Sequence, residues 1–363
     1  MIESWLRFAN LQLPVRLAVA LLERYGGPDA LFEAPPDDVA CAADGAARFA
    51  GRLADPAYAP TRAQLDAVER LGIRLIAWRD PDYPPPLAQI PDPPPVLFVR
   101  GQVADEDRFA VALVGSRRST PYGRTVTARL ARDLARAGLT VVSGGALGID
   151  SAAHRATLEA GGRTLVVLGC GLDVPYPREN QEMFEEVVRR GRGAVLTEFA
   201  PGAQPEPWRF PQRNRVISGL SMGVVVVEAG TRSGALLTAS LAGEQGRDVL
   251  AVPGNVDREA SRGTNALIRD GASLVEEVGD VLRTLGILAL EAPPGPPVVG
   301  PRSADLPEEQ RRLLACLSLT PRHIDAIAAE LGVVGPDAGV QLTMLELAGL
   351  VRRLPGNSYV RAL

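Results

Sequence analysis

The sequence predicts an α/β fold: a mostly parallel, doubly wound sheet at the centre, a small helical domain before it and a winged helix after it. Three observations carry this. Between Phe109 and about Leu285, short β-branched runs alternate with helical stretches, the pattern of strands covered on both faces by crossover helices. The ends of those runs carry glycine turns with Ser, Thr or Arg, as expected where ligands bind beyond the carboxyl ends of a parallel sheet. After a Pro-rich stretch, the C-terminal residues read as three helices and a hairpin.

Residues 1–65 read as short helices, Trp5 to Leu11 and Val15 to Arg24, then an apolar pair at Leu31-Phe32 and helical material from Asp37, punctuated by Gly26-Gly27 and Pro35-Pro36. That spacing is similar to a degenerate helix-hairpin-helix or SAM-like unit. Leu13-Pro14-Val15 stands where a DNA-contacting hairpin carries glycine, which favours packing or partner contacts here. A helix from Thr61 to Leu71 leads into a strand, Ile73 to Trp78. The passage Asp80 to Pro86, and the prolines up to Pro95, hold the chain in turns and edge strands before Gly101.

The core, residues 66–287, contains the strands Val111 to Val114, Thr140 to Val142, Thr164 to Leu168, Ala194 to Glu198, Gly223 to Glu228 and Asp248 to Val252. Residues 288–306 include Pro293-Pro294-Gly295-Pro296-Pro297 and read as a semi-extended linker. In 307–363, helices Glu308 to Cys316, His323 to Leu331 and Gly339 to Leu347 precede a hairpin turning at Pro355 to Asn357, which makes a winged helix.

Composition narrows the function. The chain has 363 residues, enough for two or three domains, with 46% hydrophobic and 23% charged residues. Its longest apolar runs, such as Phe109 to Val114, fall short of the ~20 residues of a membrane span. The early acid Glu3 and the lack of an apolar h-region give no secretory signal, so a cytoplasmic protein is expected. Cys41, Cys170, Cys316, His154 and His323 lie far apart, so no metal site is expected. The net charge is −4, and a nucleic-acid surface must therefore be local. All 39 basic residues are arginine. This excludes a Walker A lysine, a Schiff-base lysine and a lysine general base, and leaves bidentate phosphate recognition open.

Five turns carry chemistry. Gly115-Ser116-Arg117-Arg118-Ser119-Thr120, between a strand and a helix, makes an anion site from backbone N–H groups, hydroxyls and a guanidinium; Ser116-Arg117 breaks the Gly-x-Gly of a dinucleotide fingerprint. Ser143-Gly144-Gly145 through Gly148-Ile149-Asp150 is a second such turn, with Asp150 placed to cap the following helix and His154 one turn inside, more structural than catalytic. Gly169 to Asp173 is followed by Tyr176, either a stacking face for a base or a core plug. Cys170 fits an ordinary core thiol. The densest signal is Trp208-Arg209-Phe210-Pro211 with Arg213-Asn214-Arg215, an arginine cluster interleaved with aromatics. Gly230-Thr231-Arg232-Ser233-Gly234 closes the set, with Pro253-Gly254-Asn255 at the adjacent strand end. So many phosphate-competent strand ends suit a groove tracking several phosphates better than one nucleotide.

Together these motifs resemble those of the DNA-processing protein A family, DprA or Smf. The matches run from Gly115-Ser116-Arg117 and Ser143-Gly144-Gly145 through Gly171-Leu172-Asp173 with Tyr176-Pro177 and Asn180. They continue with Phe210-Pro211 and Arg213-Asn214-Arg215, then Ser233-Gly234, Pro253-Gly254 and Gly263-Thr264-Asn265. The resemblance covers about residues 60–285 strongly. It implies an extended Rossmann-like core that binds single-stranded DNA, protects it and loads RecA onto it during natural transformation. It implies a homodimer through that core, no catalytic reaction and no cofactor. Arg117 takes the family's place in a positive DNA pocket, and Arg213 and Arg215 line the same face.

Two other readings stand beside it. A nucleoside-monophosphate phosphoribohydrolase shares a similar core, but its Pro-Gly-Gly-x-Gly-Thr phosphate loop is not matched by Glu228 to Gly234. A scaffold binding only protein is opposed by the aromatic–arginine patch. The third helix of the winged helix carries no basic or amide residue from Gly339 to Leu347 except Gln341. The six arginines after residue 307 are matched by six acids. A fragment spanning 305–363 is therefore expected to show no tight duplex binding in a gel shift, its role being protein contact or weak DNA contact near Arg352 and Arg353.

Overall fold

The computed structural model describes residues 2–53, 55–287, 306–318, 322–333, 335–348, 350–354 and 356–361. The N-terminal helices are α1 (Ile2–Asn10), α2 (Val15–Tyr25), α3 (Pro28–Glu33), α4 (Pro36–Ala40) and α5 (Ala47–Leu53). Helix α2 ends on Gly26 in the left-handed region, its N–H donating to Leu22 O at 2.8 Å, and α3 starts on proline, whose fixed φ suits a first turn. Phe8, Leu11, Leu17, Leu21 and Leu31 form their common core. Helix α1 has a second apolar face: Leu6 packs with Val96, Phe98 and Val166 of the sheet, so these helices are fastened to the α/β core.

Helix α6 (Arg62–Leu71) opens with a capping box between Thr61 and Gln64. It runs unbroken through the boundary expected at 65/66. Leu65, Val68 and Leu71 pack with the sheet cluster, so the whole helix sides with the core.

The sheet consists of β1 (Arg74–Ala77), β2 (Val96–Gly101), β3 (Ala110–Gly115), β4 (Thr140–Ser143), β5 (Thr164–Val167), β6 (Gly193–Thr197), β7 (Gly223–Glu228), β8 (Asp248–Ala251) and β9 (Ser273–Leu274), in the order β1-β2-β6-β5-β4-β3-β7-β8-β9. From β6 to β9 all pairings are parallel, while β1–β2 and β2–β6 are antiparallel. The prolines before Pro95 leave β2 itself unbroken, so it sits inside the sheet, and of these two strands β1 is the edge.

Side chains alternate across β3: Val111 and Leu113 face α8 (Pro121–Arg136) and α9 (Ile149–Glu159), while Ala112 and Val114 face α11 (Arg209–Gly219) and α12 (Gly234–Glu244). Helices on both faces, completed by α7 (Pro85–Ala88), α10 (Gln181–Arg189), α13 (Glu259–Arg269) and α14 (Val278–Thr284), explain the uninterrupted apolar runs. The chain leaves β3 toward β4, β5 and β6 on one side, then returns to β7, β8 and β9 on the other. A crevice opens where the direction reverses, at the carboxyl ends of β3 and β7.

His154, on α9, is wholly buried. Thr164 Oγ1 donates to Val141 O and so accepts from His154 Nδ1 at 2.7 Å, which leaves Nε2 unprotonated and without a partner. Asp150 does not cap α9 as its position suggested. Gly148 holds the cap position at φ 84°, and the Asp150 carboxylate accepts from Ala146 N–H at 3.2 Å, tying the preceding loop.

The C-terminal unit contains α15 (Glu308–Cys316), β10 (Arg322–His323), α16 (Ile324–Leu331), α17 (Gly335–Leu347), β11 (Val351–Leu354) and β12 (Ser358–Arg361), with sheet order β10-β12-β11. Helix α17 begins at Gly335, four residues before the expected Gly339, because a proline at 336 is acceptable in a first turn. Gln310 donates to Gln341 Oε1 at 2.9 Å, so the one amide of the third helix is already engaged. The expected linker, up to residue 305, and Pro355 of the expected turn lie outside the described residues. Among the described residues no helix is long and apolar enough to cross a membrane.

Burial lowers the His154 pKa from 6.5 to about 3, with Arg213 adding to the shift. A depressed folded pKa means that the neutral ring's contribution is complete above 6.5 and is lost as pH falls toward 3. In urea titrations across that window, His154→Gln is expected to flatten the stability–pH slope by about 1.4 kcal/mol per pH unit, one proton's worth.

Candidate nucleic-acid interface

The crevice between β3 and β7 is a groove of about 1050 Å³. Two crossings build its rim. Ser116 N–H donates to Glu228 O at 2.7 Å, and the Glu228 carboxylate accepts from Thr120 N–H at 2.8 Å and Thr120 Oγ1 at 2.6 Å. Thr120 in turn caps α8 through Gly123 N–H. The Gly115–Thr120 turn is thus pinned to the end of β7, and Arg117 and Arg118 are left pointing into solvent at the mouth. On the opposite wall Ser233 caps α12, accepting from Ala235 N–H, and Gly230 to Gly234 presents exposed Arg232.

The floor is set by α11. Arg213 is buried, and its Nη1 donates to Gly144 O at 2.6 Å and to Val167 O. A Cβ on Gly144 would lie 2.7 Å from that guanidinium, so only glycine admits it. Burial lowers the Arg213 pKa to about 10, Asp150 opposing the shift, and the group stays charged at neutral pH. Burial likewise raises the Asp150 carboxyl above its ordinary value against the pull of Arg213. Cys170 nearby is pushed up to about 11 by burial, an inert thiol.

One turn earlier on α11, Phe210 stands between Arg117, whose guanidinium lies 4.9 Å from the ring centroid, and Tyr176, whose ring is 5.6 Å away. Tyr176 is exposed, so it is not a core plug and its ring is open to solvent. Beneath this stack is a small side cavity of about 80 Å³ lined by Gly144, Leu147, Gly169 and Arg213.

The structure therefore gathers Gly115, Ser116, Arg117, Tyr176, Phe210, Arg213, Asn214, Arg232, Ser233 and Gly234 around one groove. Other expected contacts lie elsewhere. Arg215 points away: its guanidinium is held by Glu198 at 2.6 Å and Asp92 at 3.0 Å, both contacts on a nearly inaccessible side chain. An arginine spent on two carboxylates is a brace, and its assignment to the DNA face does not hold geometrically. Ser143 is fully buried and donates to Leu113 O at 2.6 Å, joining β4 to β3. Gly145, in the left-handed region at φ 66°, and Ser119 are buried behind the rim. Arg209 faces a second cleft on the other side of its loop. Arg118 and Thr231, members of the two rim turns, also line the groove, as does Glu259. Arg118 had the signal of adjacency to Arg117, whereas Glu259 arrives from β8's far connection and had none.

The sequence model of the DNA recombination-mediator protein A family matches residues 74–286. This chain belongs to that family. The model described as the DprA winged helix domain matches residues 295–357. Protein Smf of Escherichia coli is 40% identical over 281 residues, covering 77% of this chain and 75% of that protein. The X-ray structure of DNA processing protein A from Streptococcus pneumoniae superposes with a TM-score of 0.65 at 36% identity, covering 76% of this chain and 95% of that one. The DNA processing protein A of Helicobacter pylori, a structure described for its single-stranded DNA binding mode, superposes with a TM-score of 0.52 at 31% identity, over 58% of this chain and 95% of that one. The DprA/Smf fold, a Rossmann-like core followed by a winged helix, is therefore the fold of this chain, and the family is one of recombination mediators, not of ribohydrolases.

The geometry separates two arginines seen as alike in sequence. Arg215→Ala leaves Glu198 buried without its cation and is expected to cost about 3–5 kcal/mol in urea denaturation. Arg117→Ala, at an exposed position, is expected to change stability by about 0.5 kcal/mol or less.

Proposed function

We propose that this chain binds single-stranded DNA in the groove between β3 and β7 and hands it to RecA during DNA uptake and recombination, without catalysing a reaction. The observation that carries the reading is the combination of exposed Arg117, Arg118 and Arg232 with the Arg117–Phe210–Tyr176 stack. Among the described residues none of these three arginines has a carboxylate partner, so their charge is available to phosphates. Aromatic faces at the same site accept unstacked bases, which a duplex keeps inside its helix. Ser116, Ser233 and Gly234 supply hydroxyl and backbone donors to the same path; Arg213 and Asn214 form its floor. The Glu228–Gly234 loop lacks the glycine pair of a ribohydrolase phosphate loop, which agrees with a binding role. RecA as partner, a homodimer through the core and a cytoplasmic location complete the reading on the strength of the family resemblance.

The test is fluorescence anisotropy of labelled poly-dT and a matched duplex across a salt series. Tight, salt-dependent binding of the single strand and weak duplex binding are expected. Arg117→Ala should weaken single-strand binding and reduce the log–log salt slope by about 0.7, one phosphate contact. No single-strand binding by the wild type at low salt overturns the proposal.

A further inference from the structure

The loop that carries Phe210 has two sides. Pro205 and Pro207 line the groove just described, whereas Gln204, Glu206 and Trp208 face a separate cleft of about 730 Å³. Alternate residues of this turning loop thus line opposite sides, and the loop is a ridge between two cavities. The second cleft lies between the core and the N-terminal helices, with the α1–α2 connection, Asn10 to Val15, as its far wall.

Three features of the cleft point to a nucleic acid. Trp208 is 47% exposed, a large indole held in place by its N–H to Glu206 at 2.5 Å and by an edge contact with Phe199 at 6.2 Å. Behind it, Arg209 is buried with its guanidinium 5.0 Å from the Trp208 ring and 5.2 Å from Phe199, and its Nε has no partner. Across the cleft, α2 begins at Pro14 with no side-chain cap, so its first N–H groups and the positive end of its dipole face the cavity. Of the two acids present, Glu198 is neutralised by Arg215 and Glu206 is engaged by the indole.

We infer that a single strand leaving the main groove crosses this ridge and stacks a base on Trp208, with its phosphates toward the start of α2. The cleft then extends the binding path and gives the N-terminal helices a direct role in holding DNA. A base on the indole and a phosphate at a helix N-terminus use only interactions that are indifferent to sequence. The inference rests on the single-strand reading of the main groove but concerns a different surface.

The experiment compares a short dT strand of about 6 nucleotides, near the lower end of the usual range of single-strand site sizes, with a long one of about 20, above that range. Trp208→Ala is expected to weaken binding of the long strand at least about fivefold, the lower end of aromatic–base stacking, and to leave the short strand unchanged. Trp208→Phe should restore most of the loss. Intact short-strand binding by Trp208→Ala also shows that the variant is folded. Independently, a long strand carrying 5-iodouracil should cross-link the wild-type protein in the peptide containing Trp208. Equal loss on both strands, no loss on the long strand, or cross-links confined to the main groove overturns the inference; no loss on the long strand would assign the cleft to a peptide instead. Failure of the wild type to bind either strand is a distinct result, removing the main-groove reading and this one with it.

Discussion

The guanidinium of Arg213, buried among the carboxyl ends of β4 and β5, holds the Gly144 and Val167 carbonyls together and sets the level of the whole groove. Burying that charge costs several kcal/mol unless it is compensated, and the two carbonyls with the neighbouring Asp150 offset part of that cost. Its demands propagate outward. Gly144 must lack a side chain to let the guanidinium in, and α11 must run close under the strand ends. Phe210, one turn away, is thereby delivered to Arg117 and Tyr176 at the rim.

A chain without lysine has to do every cationic task with one side chain, and the environment sorts the arginines. Where carboxylates approach from the neighbouring elements, as Glu198 and Asp92 do for Arg215 or Asp107 does for Arg163, the planar fork becomes a brace. Where the nearest acids are occupied or distant, as for Arg117, Arg118 and Arg232, the fork stays in solvent. Exposed Arg117, Arg118 and Arg232 around the groove place local positive charge there on a molecule whose net charge is −4.

The switch in strand order explains why the groove is where it is. Crossovers leave β3 and β7 in opposite directions, so the loops following them splay apart while Glu228 ties their bases together. A rigid base under divergent loops is a suitable support for a flexible polymer, because the protein's contribution is pre-ordered and the ordering cost falls mainly on the strand. The N-terminal helices, locked to the sheet through Leu6, share this rigidity and form the far wall of the second cleft.

Strand and helix identity along the core was legible because both faces of the sheet are buried: the β-branched runs at 111–114, 140–142 and 223–228 have no polar interruption, and glycine turns mark their ends. The two-residue strand β9 carried no such pattern. The groove's composition was legible too, since phosphate-competent turns follow strands by necessity in a parallel sheet. Which member of Arg213-Asn214-Arg215 faces the groove was not. Successive helical residues point about 100° apart, so what each arginine meets depends on elements distant in sequence. Glu198 and Asp92 claim Arg215, and the Gly144 and Val167 carbonyls claim Arg213. The sequence by itself determined the α/β order, the winged helix and the chemistry available at the strand ends. Only the tertiary structure decided which cations remain free, because pairing a buried charge is a long-range contact that no local spacing encodes.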